Sequence, residues 1–338
     1  MRNRNMKEWL ADQLKADFKK PLPILSFPAC ALLGVTVRDI TTSSELQAKG
    51  MQAIAARTDA AAAVSFMDLS VEAECFGATI VATDDEVPTI KERIIFDASD
   101  AEALTVPPVG TARSGLYVNT VKMAAEQITD RPVLAGMIGP FSLAARLYDV
   151  SEIMMECYDD PDTVHAVLEK ITAFLIEYAK AYRAAGAGGI MMAEPVAGLL
   201  SPALEEEFSS PYVKRIREAV QDDSFLIIYH NCGDNVPKML SSILSTGCAA
   251  YHFGNAVDIE QDILKAVPAD TVVMGNLDPA GVLRMGTPQD VREKTLALLE
   301  RCSKYQNFWL SSGCDMPPAT PWENVDAFFA AAKEYYGQ

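Results

Sequence analysis

Eight short apolar runs recur along this chain, at residues 22–27, 62–66, 133–138, 189–193, 225–229, 249–253, 271–274 and 308–310. Runs that are apolar throughout, rather than alternating, belong to strands covered on both faces. Helix-like stretches lie between most of them. The clearest covers residues 163–184, where Val164, Val167, Leu168, Ile171, Leu175 and Tyr178 fall at helical spacing and Asp162, preceded by Pro161, is the expected cap. Alternating strand and helix implies a parallel sheet. Eight such strands in 338 residues fit one closed (β/α)8 barrel, a TIM barrel occupying the whole chain as a single domain. One stretch breaks the rhythm. Residues 83–130 are polar and carry Pro88, Pro107 and Pro108. They read as an excursion between early strands, a small hairpin followed by a helix over 115–128. At the N-terminus, Trp9, Leu10, Leu14 and Phe18 share one face of an extra helix expected to pack on the domain.

The polar residues with chemical potential cluster where these runs end. Asp68 and Glu72 follow the second run, and Glu194 follows the fourth. His230 and Cys232 follow the fifth, His252 ends the sixth, Asn276 and Asp278 follow the seventh, and Cys314 follows the eighth. In a barrel all of these positions lie at the C-terminal mouth, where barrel enzymes keep their sites.

His230 and Cys232 are two residues apart, so on extended backbone they point the same way. An imidazole and a thiolate converging at a strand end make half of a zinc site, and Cys314, also placed after an apolar run, is the best third ligand. The competing reading is a satisfied core histidine beside an apolar thiol. Three protein ligands would leave a fourth place open, as in catalytic rather than structural zinc sites. With two thiolates and a neutral imidazole the ion would be a mild Lewis acid, suited to binding a substrate thiol as thiolate. Glu194 is either a displaceable fourth ligand or partner of a ligand, or a carboxylate solvated at the mouth or capping the next helix. Asp278 before Pro279 either caps a helix or touches substrate. Asp68, Glu72, His252 and Asn276 are taken as facing substrate, with a core role the alternative for His252. The remaining five of the seven cysteines show no metal spacing. Gly186-Ala187-Gly188-Gly189 opens a strand rather than a helix, so it is not a dinucleotide turn.

A net charge of −17 argues against nucleic acid as a partner, because phosphate binding needs a basic surface. No apolar run reaches the ~18 residues that span a bilayer. The first residues lead into an amphipathic helix rather than the apolar stretch of a signal peptide. With an odd number of scattered cysteines, this reads as a cytoplasmic protein with reduced thiols and no membrane partner.

Six segments together resemble the uroporphyrinogen decarboxylase superfamily. They are residues 67–74, Gly139-Pro140-Phe141-Ser142, residues 189–195, His230-Asn231-Cys232-Gly233, Gly275-Asn276-Leu277-Asp278-Pro279, and Ser312-Gly313-Cys314-Asp315 with the prolines that follow. The His-x-Cys pair with a distal Gly-Cys resembles the methylcobamide:coenzyme M methyltransferase branch most. In that branch the positions matching His230, Cys232 and Cys314 bind a zinc that activates an acceptor thiol. The resemblance therefore implies a methyltransferase that takes methyl from a methylated corrinoid (cobalamin) on a partner corrinoid protein. The acceptor would be a small thiol, and a homodimer is one expected assembly. Rival readings are transfer from a methoxylated or methylamine donor to Co(I), a decarboxylase, and a non-catalytic corrinoid-binding accessory. The decarboxylase branch carries an arginine-rich clamp near its N-terminus. Here the comparable residues 27–34 hold no arginine, and none appears until Arg38. A substrate with many carboxylates is hard to grip without such a clamp.

Overall fold

A computed structural model describes residues 4–338; Met1, Arg2 and Asn3, at the start of the N-terminal stretch read above, lie outside the described residues. In chain order the strands among these residues are β1 (Ala63–Val64), β2 (Ile80–Val81), β3 (Thr89–Ile90), β4 (Val133–Ile138), β5 (Gly189–Ala193), β6 (Leu226–Asn231), β7 (Ala250–Phe253), β8 (Val273–Leu277) and β9 (Phe308–Ser312). Seven of them form one parallel sheet in the order β1-β4-β5-β6-β7-β8-β9, with helices between successive members. The sheet curls into the α/β barrel that the alternation predicted. β2 and β3 pair antiparallel as a separate hairpin. With the helix Ser114–Gln127 they make up the excursion between β1 and β4, although the hairpin starts before residue 83.

Two expectations need correcting. Residues 22–27 form no strand, yet they still occupy the gap between β9 and β1. Leu22 N–H donates to Leu310 O at 3.0 Å, and Ala61 N–H donates to Pro21 O at 2.9 Å. Pro21 and Pro23 have no N–H to donate, so a regular ladder cannot form there. Side chains complete the closure: Ile24 N–H donates to Ser312 Oγ at 3.1 Å and Trp309 Nε1–H to Lys20 O at 2.7 Å. The second correction concerns the long helix, which runs Pro161–Ala184 and is capped by Asp160, not Asp162. Proline suits the first helical position, so the cap is the residue before it. The pairs Ser201-Pro202, Asp278-Pro279 and Thr287-Pro288 start their helices in the same way.

Strand residues alternate between two apolar layers. Leu22, Ile24, Val64, Leu134, Met191, Leu226, Ile228, Ala250, Met274 and Trp309 fill the barrel interior. Their neighbours in sequence, such as Ile190, Ile227, Tyr251, Val273 and Phe308, pack outward against the helices. The helix Met6–Lys15 closes the N-terminal end of the barrel. Its Met6, Trp9 and Leu10 are buried in the interior layer, and the Trp9 and Trp309 rings lie 5.6 Å apart. No helix among the described residues is long and apolar enough to cross a membrane.

Candidate metal centre

The interior face of β6 reads Leu226, Ile228, His230, and Cys232 continues that alternation one step past the strand. His230 thus lies on the strand rather than after it. The loop after β9 brings Cys314 to the same point. One ligand atom from each of His230, Cys232 and Cys314 lies within 4.8 Å of the others, and His230 Nε2 is 3.4 Å from Cys314 Sγ. The bend after Cys232 is pinned by Asn231, whose Oδ1 accepts from Gly233 N–H at 2.9 Å and whose Nδ2 donates to Tyr229 OH at 3.0 Å. Gly254 allows the neighbouring loop to approach, since a Cβ there would stand 2.6 Å from Cys232 Cα.

A hydrogen-bonded chain sets the tautomer of His230. Ser311 Oγ–H donates to Leu22 O at 2.7 Å, so that oxygen accepts from His252 Nε2–H, also at 2.7 Å. His252 Nδ1 is then a lone pair, and it accepts from His230 Nδ1–H at 2.7 Å. His230 Nε2 is therefore unprotonated and faces the two sulfurs, the form a metal requires. His252 is fully buried, and desolvation first, then its neighbour His230, holds it neutral. The cysteines titrate as a pair. A hydrogen bond from Cys314 is the largest influence holding Cys232 as thiolate, while Cys314 keeps its proton. Burial instead pushes Cys30 and Cys75 to about 11 and Cys157, Cys248 and Cys302 to about 12, which leaves those thiols inert. Zinc bonds of this kind put ligand atoms about 3.4–3.8 Å apart. The two sulfurs, the free imidazole lone pair and their spacing all fit that ion.

The other expected site residues lie elsewhere. Glu194 is outside the group of three. Phe141 N–H donates to its Oε1 at 2.9 Å, and Ser142 N–H and Oγ–H donate to its Oε2 at 2.9 and 2.7 Å. It thereby caps the helix Pro140–Tyr148, whose own N-cap, Gly139, has no side chain to do so. A Cβ on Gly139 would sit 2.3 Å from Glu194 Cγ, so glycine is required there. Burial raises the Glu194 pKa to about 7 against the pull of those donors. Asp278 caps the helix Pro279–Arg284 through Ala280 N–H and Gly281 N–H, both at 2.9 Å. Asn276 Nδ2 donates to Gly254 O and Val257 O, tying the end of β8 to the loop after β7. Asp68 accepts from Arg113 and from Tyr117 OH, at 2.5 and 2.9 Å. Glu72 accepts from Ile138 N–H at 3.1 Å, and burial raises its pKa to about 8.

A cavity of about 260 Å³ opens at the C-terminal ends of the strands, with His230, Cys232, Cys314, Asp315 and Arg146 in its wall. None of Asp68, Glu72, Glu194, His252, Asn276 or Asp278 lines it. Leu69 and the hairpin residues Val87, Pro88 and Thr89 complete the wall, so the excursion is part of the site. Sequence reasoning missed Arg146, and it found the hairpin without its place in the cavity wall. Arg146 follows the Gly139-Pro140-Phe141-Ser142 segment by one helical turn, which is the signal that could have found it.

The model of one protein family, uroporphyrinogen decarboxylase (URO-D), matches residues 28–335. The methylcobamide:CoM methyltransferase MtbA of Methanosarcina acetivorans is 31% identical over 274 residues, 79% of this chain and 78% of the relative. A uroporphyrinogen decarboxylase of Coxiella burnetii is 27% identical over 285 residues, 81% of this chain and 77% of the relative. Among solved structures, a methyltransferase from Methanosarcina mazei superposes with a TM-score of 0.87 at 25% identity, over 98% of this chain and 99% of the other.

Proposed function

The chain belongs to the uroporphyrinogen decarboxylase (URO-D) family, and from that premise we propose that it is a methylcobamide-dependent methyltransferase, passing methyl from a corrinoid on a partner protein to a small thiol. The observation that carries this reading is the group His230, Cys232 and Cys314 in the wall of the mouth cavity. Zinc held by those three side chains would supply a Lewis acid with one open place, which lowers the pKa of a substrate thiol. The chain's own residues do the rest. His252 and Ser311 keep the Nε2 lone pair of His230 aimed at the sulfurs. Ile24, Met67, Leu69 and Val87 give the cavity an apolar wall, where charge interactions are stronger than in water. Direct displacement needs sulfur and methyl carbon close and in line, and a cavity this small restricts the acceptor to a few orientations.

Decarboxylation of a porphyrinogen fits less well. Arg146 is the only lysine or arginine among the described residues that line the cavity, and one cation cannot neutralise a substrate with many carboxylates. The test combines metal analysis with turnover. The purified chain is expected to hold about one zinc, from the ligand count, and to methylate a thiol from methylcobalamin. Cys232→Ser and Cys314→Ser are each expected to lower zinc occupancy and abolish transfer. Full zinc occupancy in both variants would overturn the metal assignment. Uroporphyrinogen decarboxylation at an ordinary enzymatic rate, ~1 s⁻¹ or more, would overturn the reaction.

A further inference from the structure

The loop that brings Cys314 to the cavity brings a carboxylate with it. Asp315 is the next residue and lines the same wall. Two bonds with the segment that closes the barrel fix this loop. Met316 N–H donates to Ile24 O at 3.1 Å, and Ser26 Oγ–H donates to Asp315 Oδ1 at 3.4 Å. The second bond is long, and Asp315 Oδ2 accepts none among the described residues. Nor does any lysine, arginine or histidine there lie within ion-pairing distance of it; Arg146 lines the same cavity, yet the two side chains do not pair. The other acids named above are better served. Asp68, Glu194 and Asp278 each accept from two or more donors. A carboxylate kept from water without a counter-charge is costly, and the cost falls when a bound group supplies the cation. The apolar side chains of Ile24, Met67 and Leu69 in the same wall strengthen that attraction. An ammonium is the compact form of such a cation and brings three N–H donors.

We propose that Asp315 binds an ammonium group on the acceptor, so that the thiol used by this chain is an aminothiol. This rests on the thiol-methylation reading above and narrows its substrate class. Adjacent Cα atoms are only about 3.8 Å apart, so Asp315 sits close to the ligand Cys314, and the acceptor must carry its nitrogen a few bonds from its sulfur. Asp315 is a binding residue that positions the acceptor. The whole-chain charge of −17 favours the approach of a cationic ligand.

The experiment uses the zinc-loaded full chain at neutral pH and pairs of thiols that differ only in the amino group: cysteamine against ethanethiol, and cysteine against 3-mercaptopropionate. What the rest of the cavity contributes to the shared skeleton cancels within each pair. Binding is measured by calorimetry, and methyl transfer from methylcobalamin is followed in parallel. Wild type is expected to bind the amino member of each pair about 10-fold more tightly or better, the worth of one charge-assisted hydrogen bond. Asp315→Asn keeps the shape and removes the charge. It should bring the members of each pair within about twofold of each other, with zinc content as in wild type. Equal binding within the pairs, or tighter binding of the amine-free members, by wild type overturns the proposal without any variant. So does a preference that survives in a folded, zinc-loaded Asp315→Asn. If that variant fails to fold or to hold zinc, a crystal structure of zinc-loaded wild type with cysteamine decides. Nitrogen within hydrogen-bonding distance of an Asp315 oxygen upholds the proposal, and nitrogen placed elsewhere overturns it. If the preference runs through Asp315 and no thiol is methylated, the ammonium site stands and the methyl-transfer reading falls. Methylation of thiols with no preference for the amine does the reverse.

Discussion

A carboxylate held by three donors at a helix N-terminus is not free to face a metal, and that is the situation of Glu194. Its neighbour across the sheet, His230, has its ring fixed by His252 instead. The two residues divide the labour: Glu194 positions the helix that carries Arg146, and His252 orients a candidate ligand. Glu194→Gln turns one acceptor into an amide NH₂ that meets N–H or O–H donors. The variant should lose about 1–3 kcal/mol, the cost of mismatching buried hydrogen bonds, and keep its zinc. Urea denaturation and metal analysis together check this. An unchanged midpoint with lost zinc would return Glu194 to the metal.

At the level of elements, the ends of the barrel are treated differently. The C-terminal end is left open and lined by loops and the β2–β3 hairpin, whereas the N-terminal end is stoppered by the helix Met6–Lys15. Asn5 caps that helix by accepting from Glu8 N–H at 3.0 Å, and Trp9 reaches Trp309 in the interior. Trp9 is 7% exposed, so most of its surface counts as core. Trp9→Ala should destabilise the fold by about 3 kcal/mol or more, as large-to-small core changes do. Guanidinium denaturation reads that loss. Since the candidate centre lies at the opposite end, zinc content should stay the same; a variant that loses metal in step with stability would show that the two ends are coupled.

For the whole molecule, the metal would act as a cross-link. His230 and Cys232 come from β6 and its following loop, and Cys314 from the loop after β9, so an ion joins strands that are not neighbours in the sheet. An ion that binds only the folded chain stabilises it by mass action, about 2.7 kcal/mol when free metal is 100 times its dissociation constant. Removing zinc with a chelator should lower the melting temperature by several degrees, and added zinc should restore it in a concentration-dependent way. Cys314→Ser should abolish the zinc dependence. A melting curve of wild type that ignores both chelator and zinc would mean that no ion bridges these strands.

The barrel and the grouping of His230, Cys232 and Cys314 at its mouth were legible in the chain because both rest on local rules. Uniform apolar runs mark doubly covered strands, and a two-residue step on extended backbone puts His230 and Cys232 on one face. That Cys314 would arrive beside them followed from its place after the last run. What the tertiary structure decided is which distant group each polar side chain meets. Sheet register sets His230 against His252 and Ala193 against His230. The second pairing delivers Glu194 to a helix start some fifty residues earlier in the chain rather than to the sulfurs. The same long-range packing half-buries Arg146 in the cavity wall, its Nε without a hydrogen-bond partner among the described residues. It also lets residues 21–24 close the barrel through Leu310 and Ala61 despite two prolines. Sequence spacing carries no trace of these contacts, because the partners are far apart along the chain and a one-residue slip in register would change every one of them.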